Sequence, residues 1–259
     1  MYEYMIDTIQ GDCICGLGPD CRIPFFINSL NLPYKYISPL DYLIINNDKV
    51  ILDLFMSDFD GFFEDIYYEK VLHENKTNIK YTEAEIKVKK LSLETFNYVV
   101  HDLKYDIVSI HHFHATVSKD EMEKRFRANS RYRWECLKNR MMNSKGLIFI
   151  KSIKCSDFSI DYEREFLKKI YEKFNCENIT ELVVESVDES MEYFDIEDIK
   201  VDEKIKLKKF KFFDCQISDT QNIYKNGKLD YISQDLAPFW CLGNPFYWSI
   251  IGENIEVKL

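Results

Sequence analysis

Hydrophobic and polar positions along the chain switch between two periods, and the switches outline the elements. Residues 4–16 end in the apolar run "CICG", which reads as a short strand entering a glycine turn. "CRIPFFINSLNL" then places apolar residues at the spacing of a short helix. Pro24 confines itself to the opening turn, because it has no N–H to give an earlier carbonyl. A turn at Ser38-Pro39 follows, and Asp41 stands where it could cap a helix after it. Residues 48–72 repeat apolar side chains at helical spacing, interrupted near Gly61, and residues 73–90 are polar and irregular.

The pattern is more regular further on. "YDIVSIHHF" (105–113) predicts a strand from its β-branched content. Residues 118–144 predict a long helix opened by Ser118, with Glu121 three residues on in the manner of a capping box. A buried strand (146–152), an amphipathic helix (161–174) and another strand (179–186) follow. Strands alternating with helices over short links predict parallel pairing, with helices on the sheet faces. The C-terminal stretch reads as further strands and an aromatic closing segment. Its Trp240, Phe246, Tyr247 and Trp248 suit a core, a closing flap or a surface that stacks on a sugar ring. The expected fold is α/β: a single domain over residues 1–259, with a mainly parallel sheet flanked by helices and extra strands toward the C-terminus.

Composition narrows the function classes. A chain of 259 residues that is 46% hydrophobic can bury a large core. A net charge of −10 works against non-specific binding to nucleic acid or anionic lipid, so neither is expected as a partner. The one basic stretch, Lys200 to Lys211, is diluted by Asp202 and Glu203, and its "KIKLKKFKFF" alternation predicts a strand with a solvated lysine face. No apolar run reaches the ~18–20 residues of a membrane span. The opening "MYEYMIDTIQGD" has no basic stretch of the secretory kind, so a cytoplasmic location is expected. The eight cysteines (13, 15, 21, 136, 155, 176, 215, 241) include no CxxC pair and no Cys/His zinc spacing. Most are expected as small buried hydrophobes, with no metal and no cofactor.

In a parallel sheet, sites lie beyond the carboxyl ends of the strands. That rule selects Cys21 after the first strand, His111 and His112 at the end of the second, Lys151 to Asp157 after the third and Glu185 to Asp188 after the fourth. "GLGPDC" (16–21) has two readings. As a phosphate loop it would serve a nucleotide- or cofactor-dependent transferase. It lacks the closing glycine or alanine, however, Pro19 removes a donor, and Asp41 falls in a turn rather than at a strand end. As a nucleophile loop, its glycines allow a tight turn, and Gly18 and Asp20 lead to Cys21 at a helix N-terminus. There the dipole and free N–H groups lower a thiol pKa and can hold an oxyanion. "HHFH" supplies His111, His112 and His114; on a strand His112 and His114 share one face and His111 takes the other. One of them can act as general base toward Cys21.

Five elements in order, "GLGPDCRIPFFINSLNL", "SPLDYLI", "FDGFFED", "YDIVSIHHF" and "RYRWECLKNRMMNSKGLIFIKS", resemble the papain-like cysteine peptidase family found mainly in bacteria and large DNA viruses. The resemblance covers roughly residues 14–155. It implies Cys21 as nucleophile, His111 as the histidine of the His-x-Phe element with His112 in the variable slot, and Asp41 as the aspartate of the Ser-Pro-x-Asp element. Leu40 and Tyr42 replace the family's aromatics. Lys151 replaces an arginine, losing bidentate recognition of a carboxylate or phosphate. Arg131 and Arg133 match an arginine-rich helix that either anchors an anionic group or pairs with nearby acids. A papain-like α+β fold, with a nucleophile helix before a mostly antiparallel sheet, is the alternative to the parallel α/β fold.

The functional expectation is a cysteine-nucleophile enzyme, either hydrolase or acyltransferase. Cys21 attacks a carbonyl, His111 or His112 moves the proton, and Asp41 or Asp157 orients the imidazole. Its substrate would be a small-molecule, glycan-linked or peptide acyl compound. A non-catalytic ligand- or partner-binding module on the same fold is the alternative.

Overall fold

The computed structural model describes residues 8–18, 22–30, 32–73, 80–81, 96–154, 158–187, 195–213, 251–252 and 255–257. Along the chain run β1 (Ile9–Gly11), β2 (Cys13–Gly16), α1 (Arg22–Ser29), β3 (Leu43–Ile45), α2 (Lys49–Met56), β4 (Ile66–His73), β5 (Lys80–Tyr81), β6 (Phe96–Asp102) and β7 (Ile107–Ser109). Then come α3 (Lys119–Met142), β8 (Gly146–Lys154), α4 (Ile160–Phe174), β9 (Asn178–Val187), β10 (Asp195–Lys200), β11 (Ile205–Phe213) and β12 (Ile255–Val257). The fold is mixed α/β and divides into two units, residues 1–36 with 138–259, and residues 37–137.

The first unit holds a five-stranded sheet in the order β10-β11-β9-β8-β2. Strands β2, β8, β9 and β11 are parallel, and β10 closes one edge antiparallel. β8 and β9 are rich in consecutive apolar residues because both their faces are covered. On one face Ile148, Ile150, Leu182, Val184 and Phe210 pack with Ile23, Phe26 and Ile27 of α1. On the other, Phe149 meets Phe166 of α4 edge-on, with ring centroids 5.5 Å apart. α4 buries Glu163, Phe166, Leu167, Ile170 and Phe174, one stripe at helical spacing. Ser159 caps its start by accepting from Tyr162 N, and Asn175 ends it in the left-handed region at φ 49°. At the β2 edge, the N–H groups of Ile14 and Gly16 donate to the hydroxyls of Tyr34 (2.8 Å) and Tyr36 (3.1 Å).

The second unit holds a separate sheet, order β3-β7-β6-β4-β5, antiparallel throughout. This corrects the expectation of one mainly parallel sheet that includes residues 105–113. β7 is only three residues long and pairs with β3 and β6, while the neighbours of β8 are β9 and β2. The reason is the tight turn at 103–106. A connection this short returns the chain antiparallel, whereas parallel neighbours need a long crossover. Asp102 fixes that turn: its buried carboxylate accepts from the backbone N–H of Phe63 (2.6 Å), Lys104 (2.9 Å) and Tyr105 (3.1 Å).

Two further expectations change. The helical spacing of residues 48–72 yields a helix only to Met56. Asp58, Phe59 and Phe63 then take positive φ (57°, 61° and 55°), unwinding the chain through turns into β4. The spaced aromatics serve a core cluster, in which Phe55 and Phe59 pack on Trp134 and Phe63 packs on Phe126. The lysine face of β11 is likewise not uniformly solvated. β11 lies between β9 and β10, so Lys208 and Lys209 are each only 7% exposed and are paired with Asp198 (2.6 Å) and Glu185 (2.9 Å). Trp240, Phe246, Tyr247 and Trp248 lie outside the described residues. Among the described residues no helix is long and apolar enough to cross a membrane.

Candidate functional site

The loop after β2 is built on two glycines with different duties. A Cβ at Gly16 would meet Ile23 Cγ2 at 2.6 Å and the Tyr36 hydroxyl at 2.8 Å, so this glycine permits the close approach of α1. Gly18 turns the chain at φ 80°, in the left-handed region that favours glycine. Between them the backbone stays laced to β8: Leu17 N donates to Ile150 O (2.8 Å), and Ser152 N donates to Gly18 O (3.3 Å). α1 begins at Arg22, directly after Cys21 in the sequence. Asp20, Cys21 and Asp157 lie outside the described residues.

Lys151, expected at the substrate, is instead buried in the sheet. Its ammonium lies 2.8 Å from Glu163 Oε1, with both side chains 1% exposed, and 5.2 Å from the Tyr162 ring centroid. The ion pair follows from position. Lys151 falls on the α4 face of a strand covered on both sides, and a charge there needs a partner. The neighbouring strands continue the pattern. Glu185 on β9 is 1% exposed and faces Lys209 at 2.9 Å and Lys211 at 4.0 Å on β11, and Lys209 stands 4.1 Å from the Phe158 ring centroid. Register explains the grouping: Lys151 lies opposite Val183, which lies opposite Lys209, and Glu185 lies opposite Lys211.

The histidines belong to the second unit. β7 stops at Ser109 and the chain bends, so His111 is exposed and His112 half-buried, and the alternation of faces expected along a strand does not apply. His114 forms an isolated bridge with Asn97. His112 Nδ1 lies 2.9 Å from Ser109 Oγ, and its ring meets Phe126 edge-on at 5.2 Å. Burial, then the positive fields of Arg133, His111 and His114, push its pKa down to about 4. At neutral pH the imidazole is therefore uncharged, with Nδ1 engaged by the serine and Nε2 the nitrogen that can exchange a proton.

Asp41 closes its own turn rather than capping a helix. Its Oδ2 accepts from Ser38 N (2.9 Å), Leu40 N donates to Ser38 Oγ (3.2 Å), and the chain runs on into β3. Arg133 of α3 donates to Ser38 O (3.3 Å) and stands 3.8 Å from Asp41 Oδ2, so this arginine of the rich helix pins the turn. Arg131 is exposed on α3. Ser109, not Asp41, is the group at Nδ1 of His112.

The structure thus brings together His112 with Ser109, Asp41 with Arg133, and Lys151 with Glu163. Sequence reasoning missed Ser109 and Glu163. Glu163 did leave a signal, as an acid inside the apolar stripe of an amphipathic helix, which marks a buried ion pair. Ser109 left none, since a serine in a short strand has no distinguishing pattern. Burial raises the Cys13 thiol pKa to about 12 and that of Cys176 to about 11, as suits packing cysteines. Among the described residues no three His, Cys, Asp or Glu side chains are grouped to hold a metal ion. Neither a family model, nor a curated protein, nor a solved structure matches this chain.

Proposed function

We propose that this chain is a cysteine-nucleophile enzyme of acyl-transfer type, a hydrolase or acyltransferase, with Cys21 as the nucleophile. One observation carries the reading. A parallel strand, β2, ends in a glycine turn with Gly18 at positive φ, and α1 starts one residue after Cys21. A thiol at the start of a helix beyond the carboxyl end of a parallel strand meets unpaired backbone N–H groups and the positive end of the helix dipole. Both favour thiolate and a developing oxyanion. In this reading the thiolate attacks the acyl carbon, and an imidazole of the His111-His112 pair takes the thiol proton and returns it to the leaving group. His112 has Nδ1 held by Ser109, but its pKa of about 4 makes it a weak base toward a thiol, so the two histidine variants decide which imidazole serves. Lys151 has no part in substrate recognition here, since its ammonium is engaged by Glu163.

The test is the pH dependence of iodoacetamide alkylation, mapped by peptide mass, in wild type, His111→Ala and His112→Ala. Cys13 and Cys176, with thiol pKa values raised to about 12 and about 11, form a silent background. The expected result is selective modification of Cys21 below pH 7, lost in one histidine variant. Reaction of Cys21 only near pH 8.5, at the rate of an ordinary thiol, overturns the reading.

A further inference from the structure

The lysines that the β10–β11 hairpin holds at the amino ends of the parallel strands carry an inference independent of Cys21. A groove of about 630 Å³ lies there, on the α1 face of the first unit's sheet. It is bounded by the hairpin, by the start of β9 and by residues 8–10. The hairpin is rigid: Asp202 Oδ1 accepts from Lys204 N (2.7 Å) and Ile205 N (3.0 Å), and Asp202 N donates to Ile205 O (3.2 Å).

Four lysines line the groove, Lys200, Lys204, Lys206 and Lys208. Lys208 is buried and held 2.6 Å from Asp198. Lys200, Lys204 and Lys206 are exposed, and among the described residues none of them has a carboxylate within ion-pair distance. Of the three acids in the lining, Asp198 holds Lys208 and Asp202 holds the turn, which leaves Glu203. The lining thus carries four ammoniums against three carboxylates, a small positive excess in one concave place on a chain of net charge −10, with three of the ammoniums outside any ion pair among the described residues. Thr8, Asn178 and Thr180 add hydroxyl and amide donors to the same wall.

We propose that this groove binds a small phosphorylated, non-aromatic anion, of the class of a sugar phosphate or a short polyphosphate. The lining chooses the class. Lysine ammoniums act as compact point charges and suit phosphate, whereas the planar fork that recognises a carboxylate is arginine's, and among the described residues no arginine lines the groove. Among the described residues no aromatic ring lines it either, so these walls offer a nucleobase no platform on which to stack. A long polyanion is disfavoured by the net charge of the chain.

Isothermal titration of the full chain with tripolyphosphate and pyrophosphate, at low and at high salt, tests the proposal. Citrate and an oligonucleotide serve as comparison anions. The expected result is binding of both phosphates, tripolyphosphate the tighter, weakening as salt rises. Lys200→Ala, Lys204→Ala and Lys206→Ala should each weaken binding about two- to fivefold, as for exposed ion pairs, and the triple variant should lose it with an unchanged circular dichroism spectrum. Failure of wild type to bind tripolyphosphate overturns the proposal, as does equal binding by the triple variant. Citrate or the oligonucleotide binding as tightly as tripolyphosphate overturns the ligand class. Prior alkylation of Cys21 leaves the titration unchanged, so this outcome and that of the nucleophile test are read separately.

Discussion

Lys151→Met removes one partner of an ion pair in which both side chains are 1% exposed, and it nearly preserves the volume of the lysine stem. Breaking a buried pair in this way costs about 3–5 kcal/mol, because the remaining charge is left in a poor solvent. An upper bound comes from proton uptake. Neutralising an ordinary glutamate carboxyl at pH 7 costs about 3.7 kcal/mol, some 1.4 kcal/mol for each pH unit above its usual ~4.3. The variant should therefore lose about 3–4 kcal/mol at pH 7, or roughly 6–15 °C in Tm for a chain of this size. The sign with pH follows. The folded variant holds a proton that its unfolded chain releases, so its deficit grows as pH rises from about 4.5 to 7. Urea unfolding at pH 5, 6 and 7 reads both features. The double variant Lys151→Met/Glu163→Leu supplies the control, since replacing both partners by apolar groups should recover most of the loss or exceed wild type. A single variant within about 1 kcal/mol of wild type at every pH would refute the buried-pair account.

Two other outcomes follow from the packing. Gly16→Ala puts a Cβ against Ile23 and the Tyr36 hydroxyl, and should cost about 1–3 kcal/mol in the denaturant midpoint by prising α1 from β2. His112 has its pKa lowered from 6.5 to about 4, so the unfolded chain binds its proton first. Stability from this residue is present above pH 6.5 and lost as pH falls toward 4, by up to about 3 kcal/mol. Subtracting the pH profile of His112→Asn from that of wild type isolates that slope, and a flat difference refutes it.

How far the sequence revealed this molecule depended on how local the signal was. Residues 146–187 could be read because each element carries its own period: a continuous apolar strand, the 163/166/167/170/174 stripe of α4, and a second strand. The partner of β8 on its other side could not be read. β2 comes from residues 13–16, and nothing in "CICG" encodes a neighbour so far along the chain. Residues 48–72 misled for a different reason. Phe55, Phe59 and Phe62 keep helical spacing, but a helix end followed by turns with left-handed residues brings Phe55 and Phe59 to Trp134, and Phe62 to Phe59, just as well. Among the candidate residues, the special backbone at Gly18 was legible in the glycine pattern. The fates of Lys151 and Asp41 were not, because burial and the Arg133 contact are decided by tertiary neighbours.

The two tyrosines beside β2 give the first unit's sheet a polarity of growth. A sheet recruits another strand through free N–H and C=O groups at its margin, and Tyr34 and Tyr36 occupy the N–H groups of Ile14 and Gly16 at that margin. A visiting peptide would have to displace two hydroxyls to add itself there. Strand addition, whether by a second copy or by an extended ligand, is thereby steered to the far side, along the charged "DIEDIK" of β10. Phenylalanine at positions 34 and 36 would keep the rings and unlatch the sealed border, turning a one-ended ribbon into a two-ended one.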